Sequence, residues 1–209
     1  MKPFSTHIGV ALHLPWDNVD TDQIIPARYL HRARAEGFGE QLFHDLRYDD
    51  SGRLRAGFPL NQSVNQGATV LIAGRNFGCG SSREQAVWAL VDHGFRVVIA
   101  PDFGDIFFGN SLKNGLLVIA LPESRIAALM QALPPDRKLG VDLAAQTITV
   151  GDALAIGFDI DPYGKDALLR GASEIAMTLQ ELPAIERFEA AYQALRPWII
   201  PSQSDRHRP

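Results

Sequence analysis

Between residues 69 and 133, short aliphatic runs alternate with helix-like segments, and this alternation constrains the fold more than any other feature of the chain. Thr69-Val70-Leu71-Ile72-Ala73, Arg96-Val97-Val98-Ile99-Ala100-Pro101 and Leu116-Leu117-Val118-Ile119-Ala120 are too short for helices. They are almost continuously apolar, as strands buried on both faces are. Between them, residues 82–93 carry Ala86, Val87, Ala89 and Leu90 and stop at Gly94, and residues 105–114 stop at Gly115. Pro122 opens a further helix that runs to Leu133. Strands separated by helices cannot pair as hairpins, so the pattern predicts a parallel α/β core.

The flanks are less regular. Ile8 to Leu14 reads as a strand closed by Pro15. Residues 34–66 are Gly-rich, polar and aperiodic, with Asp49-Asp50-Ser51-Gly52 as a turn signal. Residues 28–37 have no continuous apolar face, and little is expected to hold them without a partner. Beyond residue 139, 140–143, 146–150 and 158–160 read as short, half-exposed strands, and 166–171 and 183–195 as helices. One domain over 1–201 is expected, followed by a frayed polar tail at 202–209.

Composition narrows the function. The 209 residues are 46% hydrophobic and 21% charged, ordinary for a globular protein. A net charge of −4 provides no basic surface for a phosphate backbone, which argues against a nucleic-acid partner. No apolar run approaches the ~18 residues that cross a bilayer. The N-terminus lacks a signal-peptide core, so a cytoplasmic protein with no membrane partner is expected. The single cysteine, Cys79, excludes an internal disulfide. It also excludes an iron–sulfur cluster held by this chain's own thiolates, which takes three or four.

The densest local signal is Arg75-Asn76-Phe77-Gly78-Cys79-Gly80-Ser81-Ser82-Arg83-Glu84-Gln85-Ala86, between a predicted strand and a predicted helix. Gly78 and Gly80 permit a sharp turn and close approach of a ligand. Ser81 and Glu84 have capping-box spacing, which predicts Ser81 at the N-cap of the helix, a setting suited to an anion. A capped turn with no ligand satisfies the same pattern. Arg83 in the first helical turn would oppose the dipole, which favours a bound carboxylate or phosphate. The loop is neither a P-loop nor a nucleophile elbow, because both motifs are absent.

Asn76-Phe77-Gly78-Cys79-Gly80-Ser81-Ser82-Arg83-Glu84 resembles the signature of the aconitase family's swivelling domain. Three more segments fit the small subunits of 3-isopropylmalate dehydratases within that family, in the expected order. They are Asn18-Val19-Asp20-Thr21-Asp22-Gln23-Ile24-Ile25-Pro26, then Gly37-Phe38-Gly39 with Leu42-Phe43, then Val98-Ile99-Ala100-Pro101 with Asp105-Ile106-Phe107-Phe108-Gly109-Asn110-Ser111. The likeness spans about residues 4–200. It departs at Gln85, where the family commonly has His, and is looser over 159–172.

The resemblance implies an α/β fold of three layers, β/β/α. It implies a hydro-lyase subunit of leucine biosynthesis that isomerises 2- and 3-isopropylmalate by dehydration and rehydration. A [4Fe–4S] cluster would sit on a large-subunit partner, with no cofactor on this chain, and the substrate would be a small dicarboxylate. By position, Ser81 would be the catalytic base, and Ser82 and Arg83 would hold a substrate carboxylate. Asp22 would orient Arg83 or another cation, or simply stabilise a turn. Arg28, His31 and Arg32 lie in the loop that in the family helps choose the substrate side chain, although solvated loop cations read the same way. Alternatives are a relative acting on citramalate or citraconate, dimethylmalate or homoaconitate, and an anion-binding module without catalysis.

Other residues read as structural. Cys79 has no partner in sequence and reads as a small packing residue. His93, before Gly94, reads as an imidazolium at a helix C-terminus. His7, His13 and His44 lack metal-ligand spacing. Phe103, Phe107 and Phe108 read as core, and Asp105 as an N-cap.

Overall fold

The structure, a computed structural model, describes residues 1–199. The strands are β1 (Thr6–Leu14), β2 (Ala68–Ala73), β3 (Val97–Ala100), β4 (Leu117–Ala120), β5 (Lys138–Asp142), β6 (Thr147–Val150) and β7 (Leu154–Gly157). The helices are α1 (Thr21–Ile24), α2 (His44–Arg47), α3 (Glu84–His93), α4 (Asp105–Lys113), α5 (Glu123–Ala132), α6 (Pro162–Arg170), α7 (Glu174–Gln180) and α8 (Leu182–Leu195). Contacts divide the chain into two compact units, Met1–Ala172 and a small helical one from Ser173 onward. The expected tail, 202–209, lies outside the described residues.

All seven strands join one sheet, in the order β4-β3-β2-β1-β5-β6-β7. β1 to β4 run parallel, as their helical crossovers require. β5 pairs antiparallel with β1, and tight turns carry the chain on through β6 and β7. Side-chain alternation then divides the core in two. Leu71 and Ala73 of β2, Val98 and Ala100 of β3 and Val118 of β4 face Ala86, Val87, Ala89 and Leu90 of α3 and Phe107 of α4. Val70, Ile72, Val97, Ile99, Leu117 and Ile119 point the other way. There they meet Leu139 and Val141 of β5, Ile148 and Val150 of β6 and Ile156 of β7. The antiparallel half of the sheet therefore curls across one face of the parallel half, joined there by Ile126 and Leu129 of α5 and Leu168 of α6, while α3 and α4 cover the other. This is the expected β/β/α arrangement. Each fully buried aliphatic side chain contributes roughly 1.5–3 kcal/mol, so both faces are strongly specified.

Three local expectations are corrected. The last strand of the antiparallel half is Leu154–Gly157, not 158–160. Phe158 is buried as core, and its N–H donates to the turn carbonyl of Gln146. Helix α4 has Gly104, not Asp105, at its N-cap. A Cβ at Gly104 would lie 2.6 Å from the Gly78 carbonyl oxygen, so close packing against the Gly78 loop sets where this helix begins. Finally, α3 begins at Glu84 with Arg83 as N-cap and no side-chain cap, so the Ser81–Glu84 capping box does not form. The Glu84 carboxylate instead accepts from Asn114 Nδ2 at 2.8 Å. A complete capping box exists at α1, where Asp20 and Gln23 bond reciprocally.

The unit from Ser173 holds α7 and α8. The Ser173 hydroxyl oxygen caps α7 by accepting from the Ala176 N–H at 3.2 Å, and neither helix has a buried residue.

Candidate active site

The segments that follow β1, β2 and β3 converge at the C-terminal ends of the parallel strands, where open α/β sheets place their ligand crevices. The segment after β2 runs between the other two. Gly78 N–H donates to the Val19 carbonyl at 2.7 Å, and Thr21 N–H to the Cys79 carbonyl at 3.0 Å. On the far side, Gly104 N–H donates to the Phe77 carbonyl at 3.0 Å. Single parallel bridges, Asp20 with Cys79 and Phe77 with Phe103, mark the same arrangement. Asn76 has a left-handed backbone (φ 53°). Its N–H donates to Asp102 Oδ1 at 2.6 Å, and its Nδ2 to Asn18 Oδ1 at 2.8 Å. Gly78 has φ 74°, and a Cβ there would fall 2.2 Å from Phe107 Cγ, so only glycine fits.

This packing delivers Ser81 and Arg83 to a cavity of about 240 Å³. Thr21, Cys79, Ser81, Arg83, Asp105 and Phe107 are among its walls. Ser81 and Ser82 are exposed. Because the capping box does not form, no hydrogen bond engages the Ser81 hydroxyl among the described residues. Arg83 differs: its side chain is only 17% exposed, and its Nη1 donates to Asp22 Oδ1. The guanidinium thus sits at the N-cap, not in the first helical turn, with a carboxylate beside it that offsets the opposing dipole. Cys79 is half-buried, and burial, aided by the nearby Asp20 carboxylate, pushes its thiol up and away from thiolate. A thiol held in that state is a poor nucleophile.

The loop cations lie apart from this cavity's walls. Arg28 is exposed and grips Asp45 with both terminal nitrogens, and that hydrogen-bonded pairing holds the Asp45 carboxyl at about 2. Its guanidinium also lies over the Tyr29 ring at 4.7 Å. His31 is exposed. Arg32 faces a larger cavity of about 680 Å³ together with Glu36, His44, Arg47, Asp92 and His93. The Arg32 Nε is buried without a hydrogen-bond partner. The segment 28–37, expected to be loosely held, carries a second firm tie besides that of Arg28 to Asp45: Arg34 forks onto both oxygens of Asp92 at 2.6 and 2.8 Å. The larger cavity is the roomier, but the smaller one holds the exposed hydroxyl and the paired guanidinium, and chemistry rather than volume marks the site.

His93 corrects another expectation. Burial lowers its pKa, the bond to the Gly39 carbonyl partly opposes this and Arg47 lowers it further, which weighs against an imidazolium serving the helix dipole. Its Nδ1 donates to the Gly39 carbonyl at 3.0 Å. Phe107 is buried, and Phe103 and Phe108 pack against the same core as expected. Reading by residue spacing did not single out Thr21. It is 3% exposed, and its hydroxyl donates to the Ser81 carbonyl at 2.9 Å. That contact spans 60 positions of chain and depends on the β1–β2 register, so no local spacing could have revealed it.

Comparison with known proteins agrees with this architecture. Residues 1–124, which hold the whole cavity, match the family model described as Aconitase C-terminal domain. Residues 127–162 match a model described as LeuD_N, and 174–202 match one for the C-terminal domain of the 3-isopropylmalate dehydratase small subunit. A relative from Rhodospirillum centenum, named 3-isopropylmalate dehydratase small subunit, is 48% identical over 96% of this chain and 100% of its own length. Relatives of the same name from Roseobacter denitrificans (44%, over 95% of this chain) and Oceanobacillus iheyensis (47%, over 91%) match over 100% of their lengths. The crystal structure of a 3-isopropylmalate dehydratase from Methanocaldococcus jannaschii superposes with a TM-score of 0.63 at 28% identity, covering 87% of this chain and 99% of that one. The chain belongs to the family of 3-isopropylmalate dehydratase small subunits.

Proposed function

We propose that this chain is the small subunit of a two-subunit hydro-lyase that interconverts 2-isopropylmalate and 3-isopropylmalate by removing and re-adding water, in leucine biosynthesis. The observation that carries the site assignment is the juxtaposition of an uncapped, exposed Ser81 with an Arg83 held by Asp22, in a chain whose relatives bear that name over their full length. Those relatives do not favour the dehydratases of other alkylated malates.

In this reading Ser81 Oγ, as alkoxide, accepts the proton from the carbon next to a substrate carboxylate and returns it on rehydration. Arg83 binds a carboxylate. Its Nη1 is taken by Asp22, and the rest of its planar fork remains for the substrate. Ser82, exposed beside it, supplies a further donor. A serine hydroxyl is a very weak acid, and a helix N-terminus stabilises an anion by at most about 2 kcal/mol, little more than one pKa unit. With Arg83 rather than Ser81 at the cap, the helix does less still. Directed donors in a dry, closed site must do the remainder.

This chain's own side chains do not fit an iron–sulfur cluster. It has one cysteine, and no group of three or more His, Cys, Asp or Glu among the described residues could hold a metal. The cluster implied by the family is accordingly assigned to the large subunit, which also closes the open rim. No helix among the described residues is long and apolar enough to cross a membrane.

The test is co-expression with the large subunit, anaerobic cluster reconstitution, and assay on 2- and 3-isopropylmalate beside citraconate and dimethylmalate. Turnover of both isopropylmalates by the complex and none by the isolated chain is expected. A complex that prefers citraconate or dimethylmalate overturns the substrate assignment.

A further inference from the structure

We infer that Thr21 is a positioning residue for the reaction, and that Thr21 and Asp22, adjacent on one turn, hold the two ends of Ser81-Ser82-Arg83. The inference rests on the role proposed above for Ser81 and extends it to a residue that touches Ser81 only through its backbone.

The grip begins in the core. Ile24 and Ile25 are fully buried, and the Phe43 N–H donates to the Ile24 carbonyl at 2.8 Å, so the end of α1 is tied to the interior. The reciprocal bonds of Asp20 and Gln23 then fix its first turn. From that turn Thr21 reaches the loop twice. Its N–H donates to the Cys79 carbonyl at 3.0 Å, and its hydroxyl to the Ser81 carbonyl at 2.9 Å. Gly80, between the two accepting carbonyls, has a positive φ of 89°, so the chain turns there, and the hydroxyl adds one more rung where the isolated parallel bridge between Asp20 and Cys79 ends. That rung fixes the peptide plane joining Ser81 to Ser82, and with it the direction in which Ser81 leaves the backbone. One residue on, Asp22 fixes the Arg83 guanidinium.

A polar side chain buried to 3% exposure and spent on one carbonyl is poorly explained as surface solvation. Bulk alone does not explain it either, since valine has the same shape. The Ser81 side chain, by contrast, is exposed and has no side-chain partner among the described residues, so within them its backbone is the handle on its direction. Misplacing a reacting group by about 1 Å can cost about 10²-fold in rate.

Thr21→Val, Thr21→Ser and Asp22→Asn are to be measured in the reconstituted complex, and exchange of the amides of residues 79–83 in the full isolated chain. In the complex, Thr21→Val is expected to lower kcat by about 10- to 100-fold with KM within about threefold, as loss of placement without loss of binding does. Thr21→Ser, which keeps the hydroxyl, should restore kcat to within about threefold. Asp22→Asn should act mainly on KM. In the isolated chain, Thr21→Val should speed amide exchange at 79–83 and leave it unchanged in α5. If Thr21→Val keeps wild-type kcat, or if Thr21→Ser is as impaired as Thr21→Val, the inference is wrong. Should Thr21→Val fail to fold, Thr21→Ser with wild-type kcat beside Thr21→Ala with reduced kcat supports it, and equal kcat in those two overturns it. A wild-type complex inactive on isopropylmalate sinks the functional reading instead. The exchange data still judge the grip in that case, and unchanged exchange at 79–83 refutes it.

Discussion

At the residue scale three side chains of the loop, Cys79, Ser81 and Arg83, have different surroundings, and substitution should separate them. On the proposed mechanism, Ser81→Ala removes only the proton acceptor. It should lower kcat by at least about 10²-fold, the usual contribution of a positioned base, with little change in KM and none in subunit assembly. Arg83→Lys keeps the charge but loses the fork that holds Asp22 and is proposed to hold the substrate. It should raise KM as well as lower kcat. Cys79→Ala should leave kcat within about threefold, because burial and the nearby Asp20 carboxylate push the thiol away from thiolate. Steady-state kinetics at matched cluster content decide all three. A dead Cys79→Ala beside an active Ser81→Ala would reverse the roles.

At the scale of elements, glycines 78 and 52 form a controlled pair. Both have φ 74°, but a Cβ at Gly78 collides with Phe107 while one at Gly52 meets nothing within 4 Å. Gly52→Ala should therefore cost only the backbone strain, about 1–2 kcal/mol. Gly78→Ala adds overpacking of about 1–3 kcal/mol. Denaturant unfolding of the two variants should show Gly78→Ala as clearly the less stable, and equal midpoints would refute the packing argument. The parallel strands were legible from sequence because burial on both faces leaves an unbroken aliphatic run. Leu154–Gly157 was not, because one of its faces is exposed, whereas Phe158 is buried beyond the end of the ladder. The Gly-rich loop was legible as a turn before a helix. Its cap was misread because Ser81 and Glu84 match a local pattern, while packing of the loop against neighbouring segments delays the helix to Glu84. The grip of Thr21 on Ser81 depends on strand register and leaves no trace in spacing.

At the scale of the whole molecule, acid sensitivity follows from three histidines. His7, His13 and His93 all have pKa values lowered from 6.5, chiefly by burial, with Arg96, Arg137 and Arg47 adding repulsion. The unfolded chain therefore binds protons that the folded chain resists. Stability from this source is complete above about 6.5 and falls as pH drops toward the lowered values. Urea midpoints should be flat above neutrality and decline below about pH 6.5, with a shallower decline in His93→Gln. A midpoint that rises on acidification through that window would contradict the assignment.

The exposure of Ser81 and Ser82 at an open rim has a kinetic consequence. On the proposed function the site has one wall here and another on the large subunit, and such a site exists only while the two are associated. Specific activity is then a function of total protein concentration and reports the dissociation constant of the complex. Serial dilution of an assembled preparation should lower turnover per mole of cluster, and excess small subunit should restore it.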